Sequence, residues 1–185
     1  MENPKLIFLF ISLLSIIPWP SQSSSNSTCL ETVNEIRFTY YVQDKTLGDG
    51  QSVYAVARSI ITDQVPSGFG AVYVVDVLVT YGPEITSKKL GRIQGVTVSS
   101  DLREVALETI LNLVITEGEW KGSTLSIFGR NPLYDEVREV SIVGGTGAFN
   151  LAWGYATTST YYVNKYGTRA VYKYDVVVYN TTFAL

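Results

Sequence analysis

The chain has 185 residues, of which 46% are apolar, and 17 acidic against 14 basic residues give a net charge of −3. This apolar content excludes an intrinsically disordered protein, and the lack of any Lys or Arg run argues against a nucleic-acid-binding protein. The sequence contains no histidine, which excludes His-based catalytic triads and His-ligated metal sites. With one cysteine, Cys29, neither an intrachain disulfide nor a Cys-rich metal cluster can form.

Residues 1–23 have the pattern of a secretion signal. Lys5 supplies the positive charge, residues 6–17 form an apolar run that only two serines interrupt, and Pro18 and Pro20 follow it. The run is shorter than the about 20 apolar residues that a membrane span needs, so a retained anchor helix is the less favoured alternative. We therefore expect a soluble protein that is exported to the extracellular space.

Residues 24–34 are predicted to be a flexible polar leader, because they begin with a serine-rich tract without hydrophobic periodicity. One domain is expected to follow over residues 35–185. Asn26 and Asn180 each begin an Asn-x-Ser/Thr sequon, so both are candidate glycosylation sites in an exported protein. Cys29 is either a free thiol or a partner in an intermolecular bond.

From residue 35 onward, β-branched and aromatic residues alternate with polar ones, and Gly, Pro and Asp separate the runs. This pattern predicts eight strands and favours an antiparallel barrel or sandwich. The predicted strands span residues 35–43, 51–61, 69–80, 91–99, 123–128, 137–143, 149–163 and 169–179.

Residues 101–115 allow two interpretations. Their apolar positions have helical spacing, and Asp101 with Glu104 forms a capping pair, which locally predicts a helix. Ile110, Asn112 and Val114 also alternate, which permits a strand. Periodicity alone does not decide between the two.

A set of short motifs runs along almost the whole predicted domain, and together it resembles the dirigent family of secreted plant proteins. The motifs are Phe38-Thr39-Tyr40-Tyr41-Val42-Gln43-Asp44, Phe69-Gly70, Gly91-Arg92-Ile93-Gln94-Gly95, Gly122-Ser123-Thr124-Leu125, Gly129-Arg130-Asn131-Pro132, Val137-Arg138-Glu139, Val143-Gly144-Gly145-Thr146-Gly147 and Ala152-Trp153-Gly154-Tyr155. The resemblance implies an all-β fold, an eight-stranded antiparallel β-barrel with a central pocket, and it tips residues 101–115 towards a strand.

The same resemblance implies a function. Family members impart stereoselectivity on the coupling of phenoxy radicals from monolignols such as coniferyl alcohol, on the way to lignans, and a separate oxidase or laccase supplies the radicals. It implies a homo-oligomer, a trimer or dimer, with no cofactor and no metal. An eight-stranded barrel leaves an interior just wide enough for one small ligand, so the architecture and this role agree.

Asp44 and Arg138 are the predicted catalytic residues. The resemblance places Asp44 at the acidic position of the family's His-Asp pair, with Gln43 where histidine is usual, and Arg138 at the position of the pocket arginine. An acid in the barrel interior can protonate the carbonyl oxygen of a quinone methide and so activate its carbon. Burial would raise the pKa of such an acid, and a nearby guanidinium would lower it.

Asn131, Thr97 and Trp153 are the predicted substrate-binding residues. Lignan-forming relatives often carry an aspartate where this chain has Asn131, and some carry a tyrosine where it has Thr97. Asparagine keeps hydrogen-bonding reach but cannot deliver a proton. Trp153 offers a ring that can stack on a phenol, although core packing is the more common role of such a residue.

Two alternatives to radical coupling stay open. Asn131 and Thr97 depart from the lignan-type pocket, which favours an enzyme that dehydrates and cyclises a phenolic, isoflavonoid-type substrate through a quinone methide. The other alternative is a non-catalytic defence or cell-wall protein. Turnover of a closed-shell substrate without an oxidant distinguishes the first alternative from radical coupling.

Overall fold

The computed structural model describes residues 31–183, which form nine β-strands, one 3₁₀ turn (Gly147–Phe149) and no α-helix. The all-β prediction is thus confirmed for this part of the chain. The strands are β1 (Glu31–Lys45), β2 (Val53–Ala57), β3 (Val72–Thr80), β4 (Lys89–Ser99), β5 (Ala106–Ile115), β6 (Thr124–Pro132), β7 (Arg138–Thr146), β8 (Trp153–Val163) and β9 (Arg169–Phe183). Within these residues, no helix has the length and apolar character needed to cross a membrane.

Eight of the strands close into an antiparallel barrel, as the family resemblance implied. Strands β3 to β9 pair each with the next, β9 pairs with β1 over the whole length of β1, and β1 returns to β3. The closing contact pairs Tyr41 with Thr80 and Val42 with Val79. The ninth strand, β2, pairs with the other end of the same edge of β3. The ring therefore leaves almost no unpaired strand edge.

Residues 106–115 form strand β5, so the local helix prediction is wrong and the strand that the resemblance favoured is present. β5 pairs along its length with β4 on one side and β6 on the other. The capping signal is real but local: the Asp101 carboxylate accepts hydrogen bonds from the N–H groups of Arg103 and Glu104, as at a helix start. Tertiary pairing then overrides the helical spacing of the residues that follow.

Strand β1 begins at Glu31, four residues before the predicted start at residue 35. Residues 31–34, which the sequence assigned to the leader, pair with the end of β9, and Asn34 lies opposite Asn180. The error arises because short polar segments have no apolar alternation, although the exposed edge of a long partner strand can still pair with them. The predicted secretion signal and Asn26 lie outside the described residues.

The two ends of the barrel differ. At one end an aromatic plug of Phe38, Trp120 and Phe149 fills the interior, with ring centres 4.9 Å apart for Phe38–Trp120 and 5.5 Å for Trp120–Phe149. Next to it Tyr40 and Tyr174, direct neighbours on β1 and β9, stack with ring centres 5.1 Å apart. Beyond this pair the interior is not filled, and a cavity opens towards the other end of the barrel.

Close strand contacts at glycines shape the wall. Gly95 in β4 has a φ of +147°, and a Cβ there would lie 2.2 Å from the carbonyl oxygen of Ile110 on β5. Only glycine satisfies both conditions, the backbone angle and the close approach. The residue matches the last glycine of the Gly91 to Gly95 motif, whose role is therefore structural.

Candidate functional site

The candidate site is the cavity in the open half of the barrel, with a volume of about 340 Å³. The ends of β1, β4 and β6, the starts of β3, β5 and β9, and the loop between β2 and β3 form its wall. Most of the surface that lines the cavity is apolar, although about half of the lining residues carry a polar side-chain atom. The polar side chains of the lining are Asp44, Thr46, Ser67, Tyr73, Thr97, Ser99, Thr109, Asn131, Tyr172 and Tyr174.

Asp44 is the one carboxyl group among the residues that line the cavity. Strand alternation places Tyr40, Val42 and Asp44 on the inner face of β1, and the carboxylate of Asp44 accepts no hydrogen bond from any residue between 31 and 183. Burial among apolar side chains raises the pKa of Asp44 from 3.8 to about 6. The cavity therefore holds an acid that is protonated in mildly acidic solution and free to contact a ligand.

Gln43, the neighbour of Asp44, faces away from the cavity. Its side-chain amide donates hydrogen bonds to the hydroxyl of Thr80 and the carbonyl of Pro83, each at 3.0 Å, and so holds the loop between β3 and β4. Adjacent residues of a strand point to opposite faces, so this position and Asp44 cannot both enter the cavity. The glutamine thus has a structural role in this chain.

Arg138 is buried at the start of β7 and does not line the cavity. One terminal nitrogen, Nη1, donates hydrogen bonds to the carbonyl of Leu133 at 2.9 Å and the hydroxyl of Thr160 at 3.1 Å. The guanidinium carbon lies 5.6 Å from the ring centre of Tyr172, which does line the cavity. Arg138 is thus separated from the cavity by a tyrosine.

This separation bears on the predicted competition over the pKa of Asp44. The sequence suggested that burial would raise it and a guanidinium would lower it, whereas burial alone accounts for the shift in the structure. Tyr172 responds to both charges: its pKa is raised to about 12, chiefly by burial and also by Asp44, while Arg138 acts to lower it. Tyr172 on β9 is therefore close enough to both predicted catalytic residues for the charge of each to affect its pKa.

Asn131 and Thr97 both line the cavity. Asn131 is on β6, which is the fourth strand from β1 in either direction around the ring of eight, so it lies on the wall opposite Asp44. Only 7% of Asn131 is exposed, and its side-chain carbonyl Oδ1 has no hydrogen-bond partner among the described residues. A buried acceptor without a partner is a ready contact for a ligand hydroxyl.

Trp153 does not line the cavity, which corrects both roles considered for it. It is 54% exposed on the outer face of β8 and stacks on Tyr179 of β9, with ring centres 4.8 Å apart. In β8 the inward positions belong to Gly154, Ala156 and Thr158, so alternation turns Trp153 outward.

Asn180, the predicted glycosylation site within the described residues, lies in β9. Its side-chain amide donates a hydrogen bond to the carbonyl of Ala148 at 2.9 Å.

The sequence did not single out three of the lining residues, Tyr172, Tyr174 and Ser67. Tyr172 and Tyr174 alternate on β9, and the register opposite Val42 and Tyr40 would have placed them inside once β9 was known to pair with β1. Ser67, buried in the loop between β2 and β3, has a side-chain oxygen without a partner in the described part of the chain. Loop residues of this kind give no periodic signal.

Comparison with known proteins agrees with this architecture. The sequence model of the family described as Dirigent-like protein matches residues 35–179. The chain belongs to the dirigent family. Dirigent protein 11 of Arabidopsis thaliana is 39% identical over 178 residues, which cover 95% of this chain and 91% of the relative. The resemblance inferred from the motifs is thereby confirmed.

Other relatives carry a more specific name. Pterocarpan synthase 1 of Glycyrrhiza echinata is 37% identical over 172 residues, which cover 91% of each protein. The solved structure of the pterocarpan synthase dirigent protein GePTS1 is 34% identical and superposes with a TM-score of 0.72, covering 84% of this chain and 88% of that one. The family thus includes both general dirigent proteins and synthases at similar identity to this chain.

Proposed function

We propose that this dirigent protein dehydrates and cyclises one phenolic, isoflavonoid-type molecule through a quinone methide, with Asp44 as the general acid. The observation that carries the proposal is the single acid in an apolar cavity, with an amide, Asn131, on the opposite wall. The similarity to proteins named pterocarpan synthase supports the same choice. Ligand pockets span about 300–1,000 Å³, so a cavity of about 340 Å³ suits one small molecule.

The chemistry needs no oxidant. The Asp44 carboxyl donates its proton to a benzylic hydroxyl, the C–O bond breaks, and water leaves while the conjugated phenol releases its proton to water, which gives a neutral quinone methide. A second hydroxyl of the same molecule then adds to the methide carbon, and the quinone oxygen takes a proton back from water. The added hydroxyl returns its proton to the Asp44 carboxylate, so one water is lost and the acid is restored.

Asn131 supports this chemistry by holding the substrate in place, not by transferring a proton. Its unpartnered Oδ1 accepts a hydrogen bond from a hydroxyl at the far end of the substrate, on the wall opposite Asp44. A molecule held at both ends presents one face of the methide carbon to its own hydroxyl. This fixed orientation is what makes the product a single enantiomer.

The test is turnover of an isoflavonoid-type alcohol that carries a benzylic hydroxyl, a conjugated phenol and a second hydroxyl, without oxidant, followed by chiral chromatography. We expect one enantiomer, and a rate that falls as pH rises through about 6, because the general acid is then ionised. Asp44→Asn should remove the activity. Asp76→Asn, a change of the same kind at an exposed outer-face carboxylate, should not. Turnover that requires an oxidase would refute the proposal.

Stereoselective coupling of phenoxy radicals from coniferyl alcohol is the second candidate. It is favoured by Tyr73 and Tyr172, two aromatic residues of the cavity lining, since phenol rings pack against such side chains. On this proposal a separate oxidase or laccase supplies the radicals. A reaction with coniferyl alcohol and an oxidase should then give an enantiomeric excess that grows with protein concentration, and a racemic product at every concentration would exclude it.

Export, glycosylation at Asn26 and Asn180, and assembly as a homo-oligomer belong to the same proposal. They rest on the sequence signals and the family resemblance. Expression of the full chain in plant cells should yield extracellular protein whose mass falls on enzymatic deglycosylation, and light scattering should give more than one chain per particle. Retention of the protein inside the cell would refute the export part.

A further inference from the structure

Tyr172 lines the cavity on β9, between the strand that carries Asp44 and the strands that lead to Arg138. It lies opposite Val42 of β1, two residues from Asp44, and on its other side it lies opposite Thr160 of β8. Arg138 reaches from β7 across β8, where Nη1 donates to Thr160, and its guanidinium carbon lies 5.6 Å from the ring centre of Tyr172. Acid, tyrosine and guanidinium therefore follow one another along four neighbouring strands.

Arg138 is buried beside the cavity and is not one of its lining residues. It is 3% exposed, and its Nε and Nη2 atoms have no hydrogen-bond partner within residues 31–183. A buried positive charge of this kind acts on what lies next to it, since a low-dielectric wall screens it little. The group that lies between this charge and the cavity is the ring of Tyr172.

We propose that Tyr172 donates its phenolic O–H to the ligand oxygen on which negative charge develops, and that Arg138 is a positioning residue that acts through the Tyr172 ring. The Tyr172 hydroxyl has no hydrogen bond to any residue that the structure describes, so it is available to a ligand. A cation over the ring face holds the ring and makes the O–H a stronger donor. Burial keeps the pKa of Tyr172 at about 12, so the group stays protonated.

The substrate oxygen in question follows from the proposed function, on which this inference rests for its substrate. It is the phenolic oxygen that becomes the quinone carbonyl and later regains its proton. Asp44 serves the benzylic hydroxyl, so the two protein groups act on two different oxygens of one molecule. A donor aimed at a developing charge in a water-poor site contributes more than it would in water.

The first test uses 4-nitrophenol as a ligand, so no turnover is needed. Tyr172→Phe keeps the ring and its contact with Arg138 but removes the hydroxyl. We expect its Kd for 4-nitrophenol to rise about tenfold, the size expected for a hydrogen bond to a charged group, and the apparent pKa of the bound probe to rise. Tyr73→Phe is the matched control, because Tyr73 lines the same cavity and no cation lies over its ring among the described residues. An equal loss in both variants would overturn the proposal.

The second test is a double-mutant cycle between Tyr172 and Arg138. Arg138→Met should weaken 4-nitrophenol binding when Tyr172 is present and should have little further effect in the Tyr172→Phe background, because the arginine then has no hydroxyl through which to act. If Arg138→Met does not fold, Arg138→Lys replaces it, since lysine keeps the charge but not the planar contact. Additive effects would show that Arg138 acts independently of Tyr172 and would refute the inference.

The two proposals can fail separately. If the binding cycle behaves as expected but no closed-shell alcohol is turned over, the cyclase function is wrong and the role of Tyr172 stands for another phenolic ligand. If turnover is found but Tyr172→Phe binds 4-nitrophenol as the natural protein does, the cyclase function stands and this inference is wrong.

Discussion

Asp44→Asn should make the protein more stable at neutral pH while removing its activity. Burial raises the pKa of Asp44 from 3.8 to about 6 in the folded state, and each pKa unit corresponds to about 1.4 kcal/mol. The ionised acid therefore costs up to about 3 kcal/mol of folding free energy. Solvent that reaches the cavity lowers this value, and we expect about 1–3 kcal/mol.

The sign of the pH dependence follows from proton binding. Between pH 3.8 and about 6 the folded protein binds more protons at Asp44 than the unfolded chain does. The stability that the protein gains from having Asp44 protonated rather than ionised is therefore fully present below pH 3.8 and is lost as pH rises through about 6. Asparagine resembles the protonated acid and removes that dependence. Urea unfolding should thus show similar stabilities at about pH 4 and a more stable variant at about pH 7.5.

Asp175→Asn is the matched control on the outer face of the barrel. Burial opposes the shift there, but hydrogen bonds from Lys173 and Thr39 outweigh it and lower the pKa of Asp175. Its ionised form is therefore favoured by folding, and the asparagine variant should be less stable at neutral pH, the opposite sign. If Asp44→Asn shows no gain at neutral pH relative to acid pH, the carboxyl is solvated and cannot be the raised-pKa acid on which the mechanism depends.

Three further changes test the fold and the site. Phe149→Ala should lower the free energy of unfolding in urea by about 3–5 kcal/mol, because it opens a cavity in the aromatic plug. Gly95→Ala should prevent folding, judged by circular dichroism, since its Cβ would lie 2.2 Å from a carbonyl oxygen, whereas Gly122→Ala, with nothing within 4 Å, should fold. Asn131→Asp should add a second ionisation to the pH dependence of turnover, because it places another carboxyl in the apolar cavity, and an unchanged profile would show that this position does not contact the substrate.

The barrel was predictable from sequence because its strands carry their own signals. Alternation and turn residues located most strands to within a few residues, and the motif set supplied the closed topology. Residues 101–115 show where local signals end: a capping aspartate and helical spacing are both present, yet β4 and β6 leave unpaired edges that only a strand can satisfy. That constraint comes from other strands, so the periodicity of residues 101–115 could not reveal it.

The cavity was predictable only in part. The inner face of β1 follows from alternation, so Asp44 could be placed inside once Val42 was assigned to the core. Arg138 also points inward, but whether an inward residue reaches the cavity depends on what lies beside it, here Tyr172 from a strand distant in sequence. The placement of Trp153 depended on which positions of β8 face the interior, and the adjacent Gly154 has no side chain that would indicate this.

Two of the three departures from the family pattern, at Gln43 and Asn131, differ in what they remove from the cavity. Gln43 faces outward and holds the loop after β3 through Thr80 and Pro83, so the lack of a histidine there removes no acid or base from the cavity. Asn131 faces inward, so the lack of an aspartate there does remove one. Among the lining residues Asp44 is the one carboxyl, and a reaction served by it must return each proton to the group that gave it. A dehydrative ring closure within one molecule has this property, since the same acid releases the leaving group and accepts the proton of the incoming hydroxyl.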